Sequence, residues 1–250
     1  MFAELLPLTP LETLICVAII FISYVVKGLS GFGSGLIAVP LLAFFLPITF
    51  IVPLLGLLSY SGTIAQSVQL RRQVAWHDIW PLLPFSLAGI SLAVWLLVNL
   101  DPQWLVRGLA LFVVSYSVYA LLPIPALRGS RWWAIPAGSL GGIVGAMFGT
   151  GGPFYVIYLK LRGMDKSRFR ASIVLIFLVD GGLRIIGYAL SGLYTTNVIL
   201  MLLILLPVLI LAMLVGNHLH IKLNQLHFNR LISSLLLISG IILLYKSFSA

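Results

Sequence analysis

Asp180 and Arg184 stand four residues apart within residues 173–190, a stretch that is otherwise apolar. On a helix that spacing puts both on one face. A charge inside a bilayer is costly unless it has a partner, so an intramembrane ionisable residue points to function by default. Two readings follow. The pair neutralises itself as a structural element, or Arg184 offers its planar fork of donors to an oxyanion while Asp180 tunes it or carries a proton. Lys27 raises the same question. It directly precedes a glycine-rich run, and serves either as a fixed cation for an anionic substrate or as a cytoplasmic-end lysine whose ammonium snorkels to the interface.

That run reads Gly28-Leu29-Ser30-Gly31-Phe32-Gly33-Ser34-Gly35, and a second contains Gly141, Gly142, Gly145 and then Gly149-Thr150-Gly151-Gly152-Pro153. Each glycine costs a helix interior about 1 kcal/mol relative to alanine, so both runs predict broken helices. Unwound backbone in a membrane is tolerated only when buried in protein or lining a wet cavity. Its free amides, with the positive end of the following half-helix, suit an anion, and Ser30, Ser34 and Thr150 add hydroxyl donors. The alternative is close helix packing, which small residues at this spacing also serve. No Gly-Lys-Ser/Thr follows either run, which excludes a nucleotide P-loop.

Ser59, Thr63 and Gln66 form a polar stripe at helical spacing. It serves interhelical hydrogen bonding or substrate contact, with Gln66 the substrate-contact candidate. His218, His220 and His227 cluster near Lys222 and Arg230 without an acidic or thiol companion, so they read as interfacial rather than as metal ligands. Nothing calls for a metal or a cofactor. Cys16 is the single cysteine, which excludes an internal disulfide.

The elements that must hold these residues are membrane segments. Of 250 residues 61% are hydrophobic and only 8% charged, against roughly 25% charged in a soluble domain. Ten apolar stretches follow one another: 11–26, 36–46, 50–68, 79–98, 104–122, 132–148, 154–161, 173–190, 197–215 and 231–245. Those at 36–46 and 154–161 reach only about half of a ~30 Å hydrocarbon core, and read as half-helices meeting their predecessors at the glycine breaks. The net charge of +9 belongs to cytoplasmic loops under the positive-inside bias rather than to a nucleic-acid surface. With Arg71 and Arg72 inside, the basic loops at 160–170 and 222–230 and the linker bearing Arg128 and Arg131 also fall inside. The first apolar run has no Lys or Arg before it and leads into further membrane segments, which predicts mature protein rather than a cleaved signal peptide.

The halves repeat. Phe32-Gly33-Ser34-Gly35 matches Phe148-Gly149-Thr150-Gly151, and Pro84, Leu100 and Arg107 match Pro207, Leu223 and Arg230 at one offset. The expected fold is an all-α polytopic membrane protein of about 8–10 hydrophobic segments. Residues 1–122 and 132–250 form two inverted-topology repeats joined by a cytoplasmic linker at 123–131, together one integral membrane domain. Each repeat has a glycine-broken half-helix pair followed by three transmembrane helices, an architecture common among secondary transporters.

With these residues in hand, the chain resembles the TauE/SafE family of sulfite exporters. The resemblance rests on Gly31-Phe32-Gly33-Ser34-Gly35-Leu36-Ile37-Ala38-Val39-Pro40-Leu41, on Gly149-Thr150-Gly151-Gly152-Pro153, and on Leu235-Leu236-Leu237-Ile238-Ser239-Gly240. Pro153 follows the second glycine cluster at once, whereas Pro40 follows the first after several residues, so the second break departs from the family pattern. The resemblance implies transport of sulfite, organosulfonates or other small acids across the bacterial cytoplasmic membrane.

The resulting expectation is a secondary carrier of a small anion, working by alternating access around the two breaks. Substrate-binding candidates are Lys27, Ser30, Gly31, Gly33, Ser34, Gly35, Gln66, Gly149, Thr150, Gly151, Gly152 and Arg184, with Asp180 the candidate for proton coupling. A passive anion channel and a membrane enzyme acting on a lipid phosphate are the alternatives. The expected partners are the small anion and the lipid bilayer, with monomer and homo-oligomer both open.

Overall fold

The computed structural model describes residues 8–30, 33–67, 74–122, 129–219 and 225–249, and among these there is no strand. The helices in chain order are α1 (Pro10–Ser30), α2 (Ser34–Leu42), α3 (Ile48–Ser67), α4 (Trp76–Ile79), α5 (Leu83–Asn99) and α6 (Pro102–Leu121), then a 3-10 turn (Arg131–Trp133), α7 (Ala134–Phe148), α8 (Gly152–Leu161), α9 (Lys166–Leu190), α10 (Thr196–Leu219) and α11 (Gln225–Ser249). Among the described residues four stretches are long and apolar enough to cross a membrane: Pro10–Leu29, Pro102–Leu121, Arg168–Leu190 and Thr196–Gly216.

Local chemistry sets the ends. Pro102 occupies the first turn of α6, where its missing N–H is no loss. The Asp165 carboxylate accepts from the Arg168 amide at 2.8 Å and caps α9. At the other end of α9, Gly192 takes a φ of 69°. The Leu193 and Gly192 amides there close onto the Tyr188 and Ala189 carbonyls at 3.0 and 3.1 Å, a Schellman stop. The apolar stretch at 79–98 is not one helix. It breaks into α4 and α5 across Trp80–Leu82, because Pro81 and Pro84 lack the amides a continuous helix would need there.

By contacts the chain forms two compact units. One comprises Met1–Leu54, Leu100–Ile124 and Thr195–Ala250. Within it α10 lies along α1 and α11 along α6, and α2 touches both α6 and α11. Gly216 allows the first contact, since a Cβ there would run into the Val25 carbonyl. Arg107 ties α6 to α11 by donating from Nε and Nη2 to the Ser247 carbonyl at 3.2 and 3.1 Å.

The other unit comprises Leu55–Asn99 and Pro125–Tyr194. In it α5 lies along α7, and α9 packs on α5 and α8. Glycines make the α5–α7 contact backbone to backbone. A Cβ on Gly142 would run into the Ser86 carbonyl, one on Gly89 into the Ser139 carbonyl, and one on Gly138 would sit 2.7 Å from the Leu82 carbonyl. So part of the second glycine run does pack helices, the plainer of its two readings. Beneath it lies a core of Ile79, Leu82, Ala134, Ala137, Tyr155, Tyr158, Leu159, Ile173, Val174 and Ile176.

Outer surfaces are apolar in both units. All six tryptophans are exposed, as are Leu190, Leu203, Leu211 and Ile241. Water would reject such a surface, whereas lipid accepts it, with tryptophan favoured at the headgroup level.

Candidate functional site

The second glycine run holds a tight turn between α7 and α8. Phe148 ends α7, and Gly149 turns left-handed at φ 67° while its amide returns to the Gly145 carbonyl at 2.9 Å. That conformation favours glycine. Gly151 then packs back on α7, so close to the Gly141 carbonyl that a Cβ has no room. α8 starts at Gly152 with no side chain capping its first amides. At the base of this hairpin the Gly129 amide donates to the Leu161 carbonyl at 2.9 Å. Arg162 donates from Nη1 to the Gly129 carbonyl and from Nε to Asp78 Oδ1, both at 2.8 Å. Tyr158 adds a 2.8 Å bond to the Asp78 carbonyl. The segment therefore leaves and returns at one end of its unit, held by a charged clasp.

Asp180 and Arg184 lie against this turn. Asp180, 2% exposed, accepts at Oδ1 from Tyr155 Oη at 2.5 Å and from Ser86 Oγ at 2.9 Å. Its Oδ2 sits 2.9 Å from Arg184 Nε, yet neither atom makes a hydrogen bond. The Nε–H is not aligned on Oδ2, so the contact is an ion pair without a hydrogen bond. Arg184 is anchored elsewhere, donating from Nη1 to the Gly145 carbonyl at 2.7 Å. One turn on, Tyr188 donates to the Ala146 carbonyl at 2.6 Å and meets the edge of Tyr194, with ring centroids 6.2 Å apart. Gly145 joins the two features. A Cβ on it would lie 3.4 Å from Gly151 Cα and 3.7 Å from Asp180 Oδ2. Taking away one member of such a buried pair leaves a stranded charge and costs about 3–5 kcal/mol.

Among the sequence candidates, Gly149, Thr150, Gly151, Gly152, Asp180 and Arg184 thus come together in one unit. The first break lies in the other. There Lys27 is 4% exposed with its ammonium 5.9 Å over the Tyr24 ring. Gly33 turns left-handed at φ 94° just before α2, whose first residues Ser34 and Gly35 are buried. Gly31 lies outside the described residues, as do Arg71, Arg72, Arg128, His220 and Lys222. The side chains of Ser30, Gln66, His227 and Arg230 also lie outside what is described. In the polar stripe Thr63 turns its hydroxyl back to the Ser59 carbonyl at 2.9 Å. His218 is exposed near the end of α10, and the described residues contain no group of three metal-ligating side chains.

The sequence reading missed Ser86, Tyr155, Tyr188 and Tyr194. Single hydroxyls in long apolar helices give no periodic signal. Only the cost of burying such groups unpaired marks them as needing a partner.

Several helices long and apolar enough to cross a membrane, together with a family model that matches most of the chain, put this protein in the class of membrane transporters rather than enzymes. The chain is a member of the TauE/SafE sulfite exporter family, whose model matches residues 16–243. It is 27% identical over 173 residues to the probable inner membrane transporter protein TsaS of Comamonas testosteroni, covering 68% of this chain and 72% of that one. It is 23% identical over 222 residues to the probable sulfite/organosulfonate exporter TauE of Cupriavidus necator, covering 85% and 84%. No solved structure matches.

Proposed function

We propose that this chain is a secondary carrier of a small oxyanion, sulfite or an organosulfonate, with small carboxylates the next class, in the bacterial inner membrane. The observation that carries the reading is Arg184. Its side chain is 14% exposed, anchored by one nitrogen to the Gly145 carbonyl beside the α7–α8 turn, and its buried Nε–H makes no hydrogen bond. Buried cations at broken helices are how transporters present charge to anions. The relatives' names, an inner membrane transporter and a sulfite/organosulfonate exporter, point to the same substrate class. Asp180, in direct ion pairing with Arg184, is the proposed proton-coupling group. Gly149, Thr150, Gly151 and Gly152 are the proposed backbone and hydroxyl contacts. Lys27, Gly33, Ser34 and Gly35 are proposed as the counterpart in the first unit.

The transporter is read as two inverted repeats, 1–122 and 132–250, working by alternating access. The packing supports this reading by its reciprocity. With the four-residue α4 left out, the fourth helix of each half lies along the first of the other, α5 on α7 and α10 on α1, and the fifth helices α6 and α11 lie on each other.

Counterflow in proteoliposomes tests the function. Wild-type protein is expected to exchange labelled sulfite, and to accumulate it uphill when a proton gradient is imposed, which a passive channel would not do. Arg184→Lys keeps the charge but loses the fork, and is expected to lower kcat/KM at least roughly tenfold, the value of one hydrogen bond to a charged group. Correctly inserted Arg184→Lys protein working at the wild-type rate would remove Arg184 from the site.

A further inference from the structure

Among the described residues, five buried side-chain atoms have no hydrogen-bond partner, and four of them belong to one region: Asp180 Oδ2, Arg184 Nε, Thr150 Oγ1 and Tyr194 Oη. Asp180 and Arg184 carry two of them, 2.9 Å apart. Thr150 sits in the break beside Gly151, which packs on Gly145, the residue Arg184 holds. Tyr194 meets Tyr188 edge-on, one helical turn beyond Arg184, and lies within electrostatic range of the guanidinium. Each buried orphan costs about 1–3 kcal/mol, and native proteins leave few of them. Two of the four are the ion pair itself, and the other two belong to the segments that pack on it.

Their chemistry specifies the proposed anion further than its charge. Arg184 Nε–H can only donate, and the Thr150 and Tyr194 hydroxyls can donate. All three suit the bare oxygens of an anion. When Asp180 is ionised and paired with Arg184, the state that receives the anion, its Oδ2 can only accept. Its partner oxygen is already held by Tyr155 and Ser86, so Oδ2 keeps a fixed position. A fully deprotonated oxyanion would set oxygen against oxygen there. An oxyanion retaining one acidic O–H would donate it to Oδ2 while its bare oxygens accept from Arg184. The ionisable side chains around Asp180 are Arg184 and Tyr188 on its own helix, Tyr155 on α8, Tyr194 after α9, and Tyr60 of α3, whose ring packs on Gly181 and Gly182. Among the described residues of this unit, Arg184 is the cation that pairs with Asp180.

We infer that the second break selects a monoanion that still carries one acidic O–H, hydrogen sulfite rather than the sulfite dianion or a sulfonate. This rests on the placement of the substrate at Arg184 proposed above.

The test uses wild-type proteoliposomes, with counterflow measured across a pH series spanning the second ionisation of sulfite and with methanesulfonate as the comparison. KM for total sulfite is expected to rise in step as the monoanion share falls, and to stay constant when expressed per monoanion. Methanesulfonate, with no acidic hydrogen at neutral pH, is expected to need at least roughly tenfold higher concentration, one lost hydrogen bond to a charged group. Asp180→Asn replaces the acceptor with an amide that can donate, and is expected to narrow that ratio. A KM for total sulfite that stays flat or falls with rising pH overturns the inference, as does equal handling of methanesulfonate, and neither depends on the variant folding. Transport of neither anion by the wild type would instead overturn the proposed function itself.

Discussion

At the scale of single residues the account turns on which polar groups are left without partners. Thr150 is 3% exposed and its hydroxyl bonds to nothing among the described residues, so for stability alone a valine should serve as well. If the hydroxyl awaits an anion, Thr150→Val should keep the melting temperature of the purified protein while raising KM at least roughly tenfold, the range for a hydrogen bond to a charged group. A melting temperature that falls with KM unchanged would make Thr150 structural. Arg184 and Asp180 stood out in the sequence, because charge inside an apolar run needs a partner, with mutual pairing and anion binding both open. Ser86 and Tyr155 did not. They are positioned by α5 and α8 crossing near Asp180, and the sequence alone does not place those helices side by side.

Among the elements, glycine does two jobs that composition cannot separate. Gly149 makes a left-handed turn, whereas Gly138 and Gly142 let α5 and α7 approach backbone to backbone. Gly142→Ala puts a methyl group into the Ser86 carbonyl and 3.1 Å from the Ile90 amide. Overpacking of this kind costs about 1–3 kcal/mol. Leu140→Ala, on the same helix but facing outward, should stay within about 0.5 kcal/mol. Thermal unfolding in detergent compares the two, and equal stability would mean the helices are not in contact there. The existence of most helices was legible because their apolar runs are long. The α4–α5 break was not, since apolar residues continue through Pro81 and only the missing amides divide them.

For the whole molecule the central structural statement concerns sidedness. Gly129 bonded to Leu161 brings the two ends of the α7–α8 hairpin together, which predicts that the chain returns to the membrane face it left. With Cys16, the single cysteine, replaced by serine, Ser130→Cys and Lys160→Cys should both react with an impermeant thiol reagent from the same side, the cytoplasmic one under the positive-inside bias. Labelling from opposite sides would turn the hairpin into a crossing. The sequence left that choice open, because hydropathy reports the length of an apolar run and not whether the chain turns back. Binding, however, tests the central claim most directly. Equilibrium binding of radiolabelled sulfite to the purified protein should be saturable in the wild type and weakened at least roughly tenfold in Arg184→Gln, which loses the charge and the fork together. Wild-type affinity in folded Arg184→Gln protein would contradict it.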